Sequence, residues 1–410
     1  MNKWQTIKLK EVVKIISGYA FKSKDFKENN GVPVIKIGNI NYYDVDICKN
    51  INYVDKSFLS KIDEKFIIRR DDILISLTGS HINQPNSMVG RVGKYREDKL
   101  SLLNQRAGKI MPEKNVCREF IYHLFSLKSM TYLIATIAYG GANQVNISPK
   151  TIGNLKIQIP DLKTQEKIAD LLSTYDELIE NNNRRIEILE KTAEEIYKEW
   201  FVRMRFPGYE NTKFIKGIPE GWEVKRIGDL GRVETGKTPS TKKEEYYDGN
   251  IMFVKTPDMH NNMFTLNTEI YLSKEGSDSQ PKKLLPKNSI MVSCIGTGGV
   301  VSINGELAHT NQQINSIILK DLKLREWTYF TLKSMKKTIE LFGATGATMT
   351  NLSKGKFQNL KVLYPTDELI IKFNNINKDI FEEIKNLIFQ NQNLIKQRDL
   401  LLPRLMNGTI

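Results

Sequence analysis

The sequence predicts an α+β protein in which two mixed α/β domains are separated by two long helices that form an antiparallel coiled coil. Two observations lead to this fold. Patches of the first half of the chain recur in the same order in the second half, and each copy is followed by a long apolar run at heptad spacing. The expected segments are domain one at 1–160, a central helix at 161–205, domain two at 206–365 and a C-terminal helix at 366–410. The chain therefore has a pseudo-two-fold internal repeat.

The repeat rests on five patches of matching chemistry. They are Trp4 to Gly18 with Trp222 to Gly236, Val34-Ile35-Lys36 with Phe253-Val254-Lys255, 72–76 with 289–293, Asn104-Gln105 with Asn311-Gln312, and Ile147 to Pro160 with Leu352 to Pro365. Their order is kept while their spacing drifts, as expected for two copies of one fold whose loops differ in length. A repeat of about 210 residues is too long for a solenoid, so the pattern indicates a duplicated domain.

Short apolar runs bounded by turn residues predict strands inside each domain. Strands are expected at Val32–Ile37, Asp72–Leu77 and Ser289–Cys294, and one helix is expected from Glu119 to Ile134. This mixture predicts an α/β domain in each copy.

Each copy ends in a heptad seam with few polar members. The first seam is Ile168, Leu172, Tyr175, Ile179, Asn182, Ile186, Leu189, Ala193, Ile196 and Trp200. The second seam is Phe373, Asn377, Ile380, Ile384, Leu387, Asn391, Leu394, Arg398 and Leu401. Pro403 is expected to end or kink the second helix.

An antiparallel pairing of these helices brings Asn182 and Asn391 close together, because each lies near the middle of its seam. A buried Asn pair costs stability and fixes the register of a coiled coil. Asn377 and Arg398 are expected to loosen the pair at their end. The first run is about 50 Å long, comparable to one to one and a half turns of B-DNA at about 34 Å each.

The charge balance points to a polyanionic partner. The 410 residues carry a formal net charge of +14 and a 40% hydrophobic fraction, which is typical of a protein that binds nucleic acid and equally of an ordinary basic cytosolic protein. A membrane partner is not expected, because no apolar run approaches about 20 residues and no secretory signal is visible. Cys48, Cys117 and Cys294 show no CxxC spacing, which fits a cytoplasmic protein without a zinc site.

Polar loops after the strands supply candidate DNA contacts. Asn and Gln pair with adenine and Arg or Lys with guanine, while small residues let the backbone approach phosphates. The alternative is that such residues simply populate surface loops. The candidates are Lys22, Lys36, Asn39, Ser80, His81, Asn83, Gln84, Arg106, Asn143, Gln144, Lys237, Thr238, Lys255, His260, Asn261, Thr297, Gln313, Thr345 and Thr348.

One segment imitates a nucleotide-binding motif. Residues Gly231 to Thr238 match GxxxxGK[ST] letter for letter. That motif needs a buried strand before it and a helix directly after it, whereas a mixed-polarity run precedes Gly231 and no apolar periodicity follows Thr238. Lys237 is therefore expected to contact a DNA phosphate. The alternatives are a P-loop-like nucleotide-hydrolysing enzyme and a helical scaffold with basic lobes. No catalytic residue or metal ligand is predicted.

Several segments resemble the specificity subunits of type I restriction–modification systems. They are Pro219 to Leu230 and Ser17 to Ser23 with Thr235 to Ser240 at the starts of the domains, Glu199 to Val202 at the first helix end, and Leu401 to Gly408 at the C-terminus. The resemblance covers the whole chain.

This resemblance implies that 1–160 and 206–365 are target-recognition domains, each reading one half of a bipartite target in double-stranded DNA. It implies a chain without catalysis or cofactor. Two modification subunits using S-adenosylmethionine would dock on it, and restriction subunits using ATP and magnesium would join them.

Overall fold

The computed structural model describes residues 4–48, 50–82, 84, 87–141, 144–344 and 350–410. The chain forms two compact units. The first unit is Met1–Leu178 with Leu394–Ile410, and the second unit is Ile179–Asn393. Each unit therefore combines one globular domain with stretches of both long helices.

The first unit is built on two five-stranded sheets. In sheet order, the main sheet is Val13–Ser17, Ala107–Pro112, Ile73–Ser76, Val92–Lys94 and Tyr43–Asp44. The other sheet is Phe26–Lys27, Asn52–Val54, Val32–Ile35, Ser101–Leu103 and Ile67–Ile68. A two-stranded sheet pairs Gln5–Lys8 with Lys156–Ile159. A three-stranded sheet consists, in sheet order, of Tyr139–Gly141, Gln144–Asn146 and Thr78–Gly79.

The second unit repeats this plan. Its main sheet is Gly231–Thr235, Ile314–Leu319, Ile290–Ser293, Val301–Asn304 and Phe264–Thr265. A three-stranded sheet is Ile270–Leu272, Tyr247–Val254 and Ala308–Thr310. Two-stranded sheets pair Glu223–Arg226 with Lys361–Tyr364, Ile295–Gly296 with Thr350–Asn351, and Phe214–Ile215 with Ile218–Pro219.

The predicted internal repeat is confirmed by the pairing of the strands. Both main sheets have four antiparallel-paired strands and one parallel edge strand, Tyr43–Asp44 in the first unit and Phe264–Thr265 in the second. In the other sheet of the first unit, Val32–Ile35 pairs parallel with Ser101–Leu103. The corresponding parallel pair of the second unit is Tyr247–Val254 with Ala308–Thr310. Two sequences that share only short patches therefore build the same main-sheet topology, while the other sheet has five strands in the first unit and three in the second.

Short helices connect these strands. The α-helices are Phe58–Lys61, Arg118–Ser126, Lys128–Thr136, Pro149–Gly153, Ile227–Leu230, Thr256–Met259, Lys274–Asp278, Arg325–Ser334, Lys336–Gly343 and Lys354–Gln358. The 3-10 turns are Leu9–Glu11, Ser23–Asp25, Ile37–Asn39, Glu64–Phe66, Tyr209–Asn211, Glu244–Tyr246, Pro281–Lys283 and Leu322–Leu324.

The single helix expected from Glu119 to Ile134 is wrong, because two helices meet at Leu127. This residue takes an extended conformation with φ −59° and ψ 129°. Phe125, Met130 and Ile134 are buried in one core on both sides of the break. The apolar periodicity therefore continues across a turn that neither glycine nor proline marks. The three predicted strands exist, each trimmed to the four residues that pair in a sheet.

Both long helices are present. The central helix is Leu162–Tyr197, followed by a π-helical turn at Lys198–Val202, and the C-terminal helix is Asp367–Met406. Pro403 does not end the second helix as expected. Proline removes one amide donor, but Leu405 and Met406 are buried in the first unit's core and complete the last turn. No helix among the described residues is long and apolar enough to cross a membrane.

The two helices pair antiparallel in each unit. In the second unit, Asn182 Nδ2 donates to Asn391 Oδ1 at 3.0 Å. The predicted proximity of these side chains is therefore confirmed. In the first unit, Arg398 Nη1 lies 2.7 Å from Asp176 Oδ1, and both side chains are 5% exposed. Arg398, which was expected to loosen the pair, has a buried counterion in Asp176.

Each unit has its own core, and the helices contribute to both. The first core joins Phe120 and Phe125 of the domain to Leu172 and Leu402 of the two helices. In the second core, Trp327 and Phe330 of the domain pack with Ala193, Phe373 and Phe381. Each domain is thereby fixed to its own stretch of the helix pair.

Candidate nucleic-acid interface

In the first unit, three loops meet where the central strand of the main sheet ends. Leu77, directly after this strand, donates its amide to the Arg106 carbonyl at 2.9 Å, and its own carbonyl accepts from the Ile147 amide at 2.9 Å. Thr78–Gly79 then pairs with Val145 and Asn146. The first loop cluster is defined as the described residues of 78–87, 104–106 and 139–146.

The second unit builds the same arrangement with other side chains. Cys294 donates its amide to the Gln313 carbonyl at 2.7 Å, and its carbonyl accepts from the Leu352 amide at 2.8 Å. Ile295–Gly296 pairs with Thr350–Asn351. The second loop cluster is defined as residues 237–238, 295–297, 311–313 and 350–351. Hydrogen bonding thus makes Gln313 the counterpart of Arg106.

The loop after the first strand of each main sheet joins the cluster. Gly18 donates to the Ala107 carbonyl and Gly236 to the Ile314 carbonyl, at 2.9 and 3.1 Å. A Cβ at either glycine would overlap the backbone oxygen of Asn104 or Asn311. Both positions therefore require glycine for close backbone approach. In the second cluster, Thr238 Oγ1 also donates to Gln312 Oε1 at 2.8 Å.

Two predicted lysines occupy matching places beside these clusters. Lys36 follows Ile35, whose carbonyl accepts from the Asn104 amide, and Lys255 follows Val254, whose carbonyl accepts from the Asn311 amide. Lys36 Nζ donates to Asn52 Oδ1 at 2.6 Å and lies 4.3 Å from the centre of the Phe26 ring. Burial lowers the pKa of Lys36. Lys255 Nζ lies 3.4 Å from Glu269 Oε2. Both ammonium groups are therefore partly engaged inside the fold.

Two predicted contact residues have structural roles instead. Asn39 is 2% exposed, its Oδ1 accepts from the Lys36 amide, and its Nδ2 donates to the Asp46 carbonyl. Ser80 is 7% exposed, and its Oγ bonds the Gln84 carbonyl and Ser87 Oγ at 2.7 and 2.8 Å. Asn and Ser commonly satisfy local backbone groups in turns. In this conformation neither side chain is presented to a DNA base.

The other described candidates differ in exposure. Exposed candidates are Lys22, Gln84, Arg106, Gln144, Lys237, Thr238, Asn261 and Thr297. Partly buried candidates are His81, His260 and Gln313 as well as the two lysines above. Asn83, Asn143, Thr345 and Thr348 lie outside the described residues. Lys22 lies three residues beyond Tyr19, whose amide donates to Leu103 beside the first cluster.

His260 and Asn261 line a separate groove in the second unit. Its walls include Glu190 of the central helix, Gly299, Lys333 and Lys336. Lys333 Nζ lies 2.7 Å from Glu194 Oε2. Among the described residues, no hydrogen bond or ion pair joins these two candidates to the second loop cluster, so the geometry places them in the groove and not with Lys237 and Gln313.

The clusters also contain polar residues absent from the sequence-based candidates. Gln105 donates its amide to the Tyr19 carbonyl at 2.9 Å, and both residues are exposed. Gln312 is exposed beside Thr238. The sequence signal that could have identified Gln105 and Gln312 is the Asn-Gln pair that recurs at 104–105 and 311–312. It marks the same turn in both domains and lies between two strands.

The nucleotide-motif segment is an ordinary sheet strand. Gly231–Thr235 pairs antiparallel with Ile314–Leu319, and the Lys237 amide donates to the Thr310 carbonyl at 2.9 Å. A phosphate-binding loop instead aims free backbone amides at its ligand, at the start of a helix. The next element along the chain is the 3-10 turn Glu244–Tyr246. This geometry does not support nucleotide binding at Lys237.

Among the described residues, no three or more His, Cys, Asp or Glu side chains form a cluster that could hold a metal ion.

The buried histidines are held as neutral groups. Burial lowers the pKa of His123 to about 3 and that of His309 to about 4. His309 shares Gln280 with Lys237, because Gln280 Nε2 lies 3.4 Å from His309 Nδ1 and donates to the Lys237 carbonyl at 3.0 Å. His309 therefore supports the loop that presents Lys237.

Comparison with known proteins yields a consistent set of relatives. The chain is 29% identical over 476 residues to the type I restriction enzyme HindI specificity subunit of Haemophilus influenzae, with full coverage of both chains. It is 29% identical over 317 residues to the type I restriction enzyme MjaIX specificity subunit of Methanocaldococcus jannaschii, covering 75% of this chain and 72% of the relative. The crystal structure of a type I restriction–modification S subunit from M. genitalium matches with a TM-score of 0.59 at 16% identity, covering 98% and 96% of the two chains, which shows a shared fold.

The family assignment rests on the extent of the match. The type I restriction modification DNA specificity domain matches residues 1–191 and 219–399, so each copy of the repeat carries one such domain. The chain belongs to this family and is a specificity subunit of a type I restriction–modification system.

Proposed function

We propose that each unit reads one half of a bipartite target in double-stranded DNA through its loop cluster. The observation that carries this proposal is one backbone arrangement presenting different side chains. Arg106 occupies the place of Gln313, and both carbonyls accept the amide that follows the central strand. Arg pairs with guanine and Gln with adenine in the major groove. Two such clusters would therefore favour different half-sites.

The proposed division of labour follows the sequence boundaries. Residues 1–160 and 206–365 serve as target-recognition domains, and 161–205 with 366–410 serve as spacer helices. Cores that join each domain to the helices support this division, because a domain fixed on a rigid helix pair holds its loops in a constant orientation. The helices would then set the gap between half-sites.

Chemistry belongs to other subunits in this proposal. Two modification subunits would use S-adenosylmethionine for methylation, and restriction subunits would use ATP and magnesium for cleavage. The family relatives are named as subunits of restriction enzymes, which supports such an assembly. The strand conformation of residues 231–235 argues against a nucleotide-hydrolysing role for this chain.

The central helix offers a docking surface for a modification subunit. A groove of about 550 Å³ is lined by Ile188, Lys191, Thr192, Glu195, Ile196, Glu199 and Trp200. Ile188 is 56% exposed. The groove is mainly apolar with charged residues at its margin, a composition typical of protein interaction sites.

Gel-shift experiments with the purified modification partner test DNA reading. Sequence-specific binding should follow each domain when 1–160 or 206–365 is exchanged for the domain of a relative. Binding without sequence preference would refute the proposal, and nucleotide turnover by the chain alone would refute the absence of catalysis.

A separate experiment tests whether the helices set the gap between half-sites. A heptad inserted within residues 168–200, with a matching insertion in the C-terminal helix, should lengthen the gap of the methylated motif. An unchanged gap would contradict the spacer role of the helices.

A further inference from the structure

The buried polar residues of the helix pair are distributed unequally between the two copies of the repeat. The sequence from Pro160 to Trp200 aligns without a gap on the sequence from Pro365 to Leu405. This alignment gives four correspondences: Asp176 with Phe381, Asn182 with Leu387, Ile186 with Asn391, and Ala193 with Arg398. Each of these four polar residues therefore has an apolar counterpart in the other copy.

In the first unit, the buried Asp176 carboxylate depends on Arg398 for compensation of its charge. Asp176 and Arg398 meet at 2.7 Å, and each side chain is 5% exposed. The second carboxylate oxygen, Oδ2 of Asp176, is buried without a hydrogen-bond partner. Burying a charge is unfavourable unless it is paired. Removal of Arg398 from this position would leave Asp176 with no compensation.

The contrast between the copies extends to the edge strands. In the first unit, the Arg398 guanidinium lies 3.7 Å from the centre of the Tyr43 ring, and Tyr43 Oη donates to Asp399 Oδ1 at 3.2 Å. The corresponding edge strand of the second unit carries Phe264, which packs edge-on against Phe381 at 6.1 Å. The first junction therefore has an ion pair between the two long helices. The second has two packed rings, with the Arg325 guanidinium of the domain 6.0 and 5.8 Å from the ring centres of Phe264 and Phe381.

These contacts distinguish the observed pairing from pairing between like helices. Two central helices from separate chains, paired antiparallel in the same register, would place Asp176 of each against Ala193 of the other and Asn182 against Ile186. Two C-terminal helices would place Arg398 against Phe381 and Asn391 against Leu387. The first arrangement buries two Asp176 carboxylates without a counterion. The second separates each Arg398 from Asp176 and leaves it with Asp399 of its own helix, 2.9 Å away. Each arrangement also buries two amides away from the Asn partner they have in the observed pair.

We propose that the Asp176–Arg398 and Asn182–Asn391 pairs make helix pairing selective, so that the central helix accepts the C-terminal helix and rejects the like helix of a second copy of this chain. A single buried Asn already specifies partner and register in coiled coils, and mismatched polar groups discriminate against a wrong partner. This selectivity depends only on the helix pair, and failure of DNA recognition would leave it standing.

The test is a full-length chain in which these four polar residues are replaced by their repeat counterparts: Asp176→Phe, Asn182→Leu, Asn391→Ile and Arg398→Ala. Native and variant chains are refolded from denaturant at 1 to 50 µM, and their masses are measured by size-exclusion chromatography with light scattering. Circular dichroism verifies folding. The four-fold variant should contain at least ten times the native fraction of two-chain species, increasing with concentration.

Two further variants bracket this result. Asn182→Leu with Asn391→Ile retains the ion pair and involves smaller changes, so its two-chain fraction should rise about threefold. Arg398→Lys retains a cation beside Asp176 and Asp399 and should retain the native fraction, because the observed pairing stays matched in charge. A folded four-fold or Asn-only variant whose two-chain fraction equals that of the native chain would overturn the proposal.

Discussion

Asn182 of the central helix donates a hydrogen bond to Asn391 of the C-terminal helix across 3.0 Å, and Asn391 in turn donates to Asn183 at 2.8 Å. Both seam residues are buried, at 7% exposure each. The two buried amides thus satisfy each other within a mostly apolar seam. Two positions more than 200 residues apart in sequence are thereby locked in one register.

Asp176→Ala should lower the free energy of unfolding by about 3 kcal/mol, because breaking a buried ion pair leaves Arg398 without this counterion. Urea unfolding measures the loss. Asp170→Ala, an exposed change on the same helix, is the matched control and should change stability by less than about 0.5 kcal/mol. Equal losses in the two variants would contradict the assigned role of Asp176.

Gly18→Ala should displace the loop that closes the first cluster, because the new methyl group overlaps the carbonyl oxygens of Leu103 and Asn104. Overpacking of this kind costs about 1–3 kcal/mol, and DNA affinity should fall with it. Gly38→Ala, where no atom lies within 4 Å of the added Cβ, is the control. Thermal unfolding and DNA titration of both variants provide the comparison. Equal behaviour would show that the close approach at Gly18 is unimportant.

Lys237→Ala should weaken DNA binding at every sequence tested and reduce the slope of log affinity against log salt by about 1, the signature of one lost phosphate contact. The measurement is fluorescence anisotropy across a salt series, with the modification partner present. Lys213→Ala removes another exposed lysine of the second unit and should leave the slope unchanged. A Lys237→Ala slope identical to the native slope would exclude the phosphate contact.

Stability should fall below neutral pH through His309. Its pKa is about 4 in the folded protein, lowered by burial from an ordinary value of 6.5. The unfolded chain therefore binds more protons between pH 6.5 and 4, so the stabilisation is complete above pH 6.5 and is lost as the pH falls through this window. Each such group changes the free energy of unfolding by at most about 1.4 kcal/mol per pH unit.

Urea unfolding at pH 7.5 and pH 5 tests this dependence. His309→Gln should lose less stability than the native protein between the two pH values. A His309→Gln variant with the full native loss would assign the acid sensitivity to other groups, among them His123, whose pKa is also lowered by burial.

The two long helices and their contact could be predicted from the hydrophobic periodicity of the sequence. Heptads marked both helices, and their central Asn residues predicted a contact, because one polar residue in an apolar seam needs a partner. The sequence analysis did not identify a counterion for Arg398. Asp176, which pairs with it, lies one position beyond the seam residue Tyr175 and is therefore not a member of the heptad seam. Leu127 breaks a helix without glycine or proline, and the apolar pattern continues past it.

The candidate interface was less predictable for a different reason. Asn39 and Ser80 have the chemistry of base-contacting residues, yet the same donors and acceptors satisfy backbone groups in turns. Only the tertiary structure distinguishes these uses. The two-residue edge strands, such as Tyr43–Asp44, pair with residues remote in sequence and carry no local signal. Arg106 and Gln313 were candidates from residue type alone, and the structure adds that they occupy equivalent positions.

Sequencing of the methylated motif tests the central claim most directly. DNA is modified by the assembled methyltransferase carrying the native chain, Arg106→Ala or Gln313→Ala, and modified positions are read genome-wide. The account predicts a split motif for the native chain, relaxed preference in one half for Arg106→Ala, and relaxed preference in the other half for Gln313→Ala. Changes in the same half for both variants, or an unsplit native motif, would contradict the reading of one half-site by each unit.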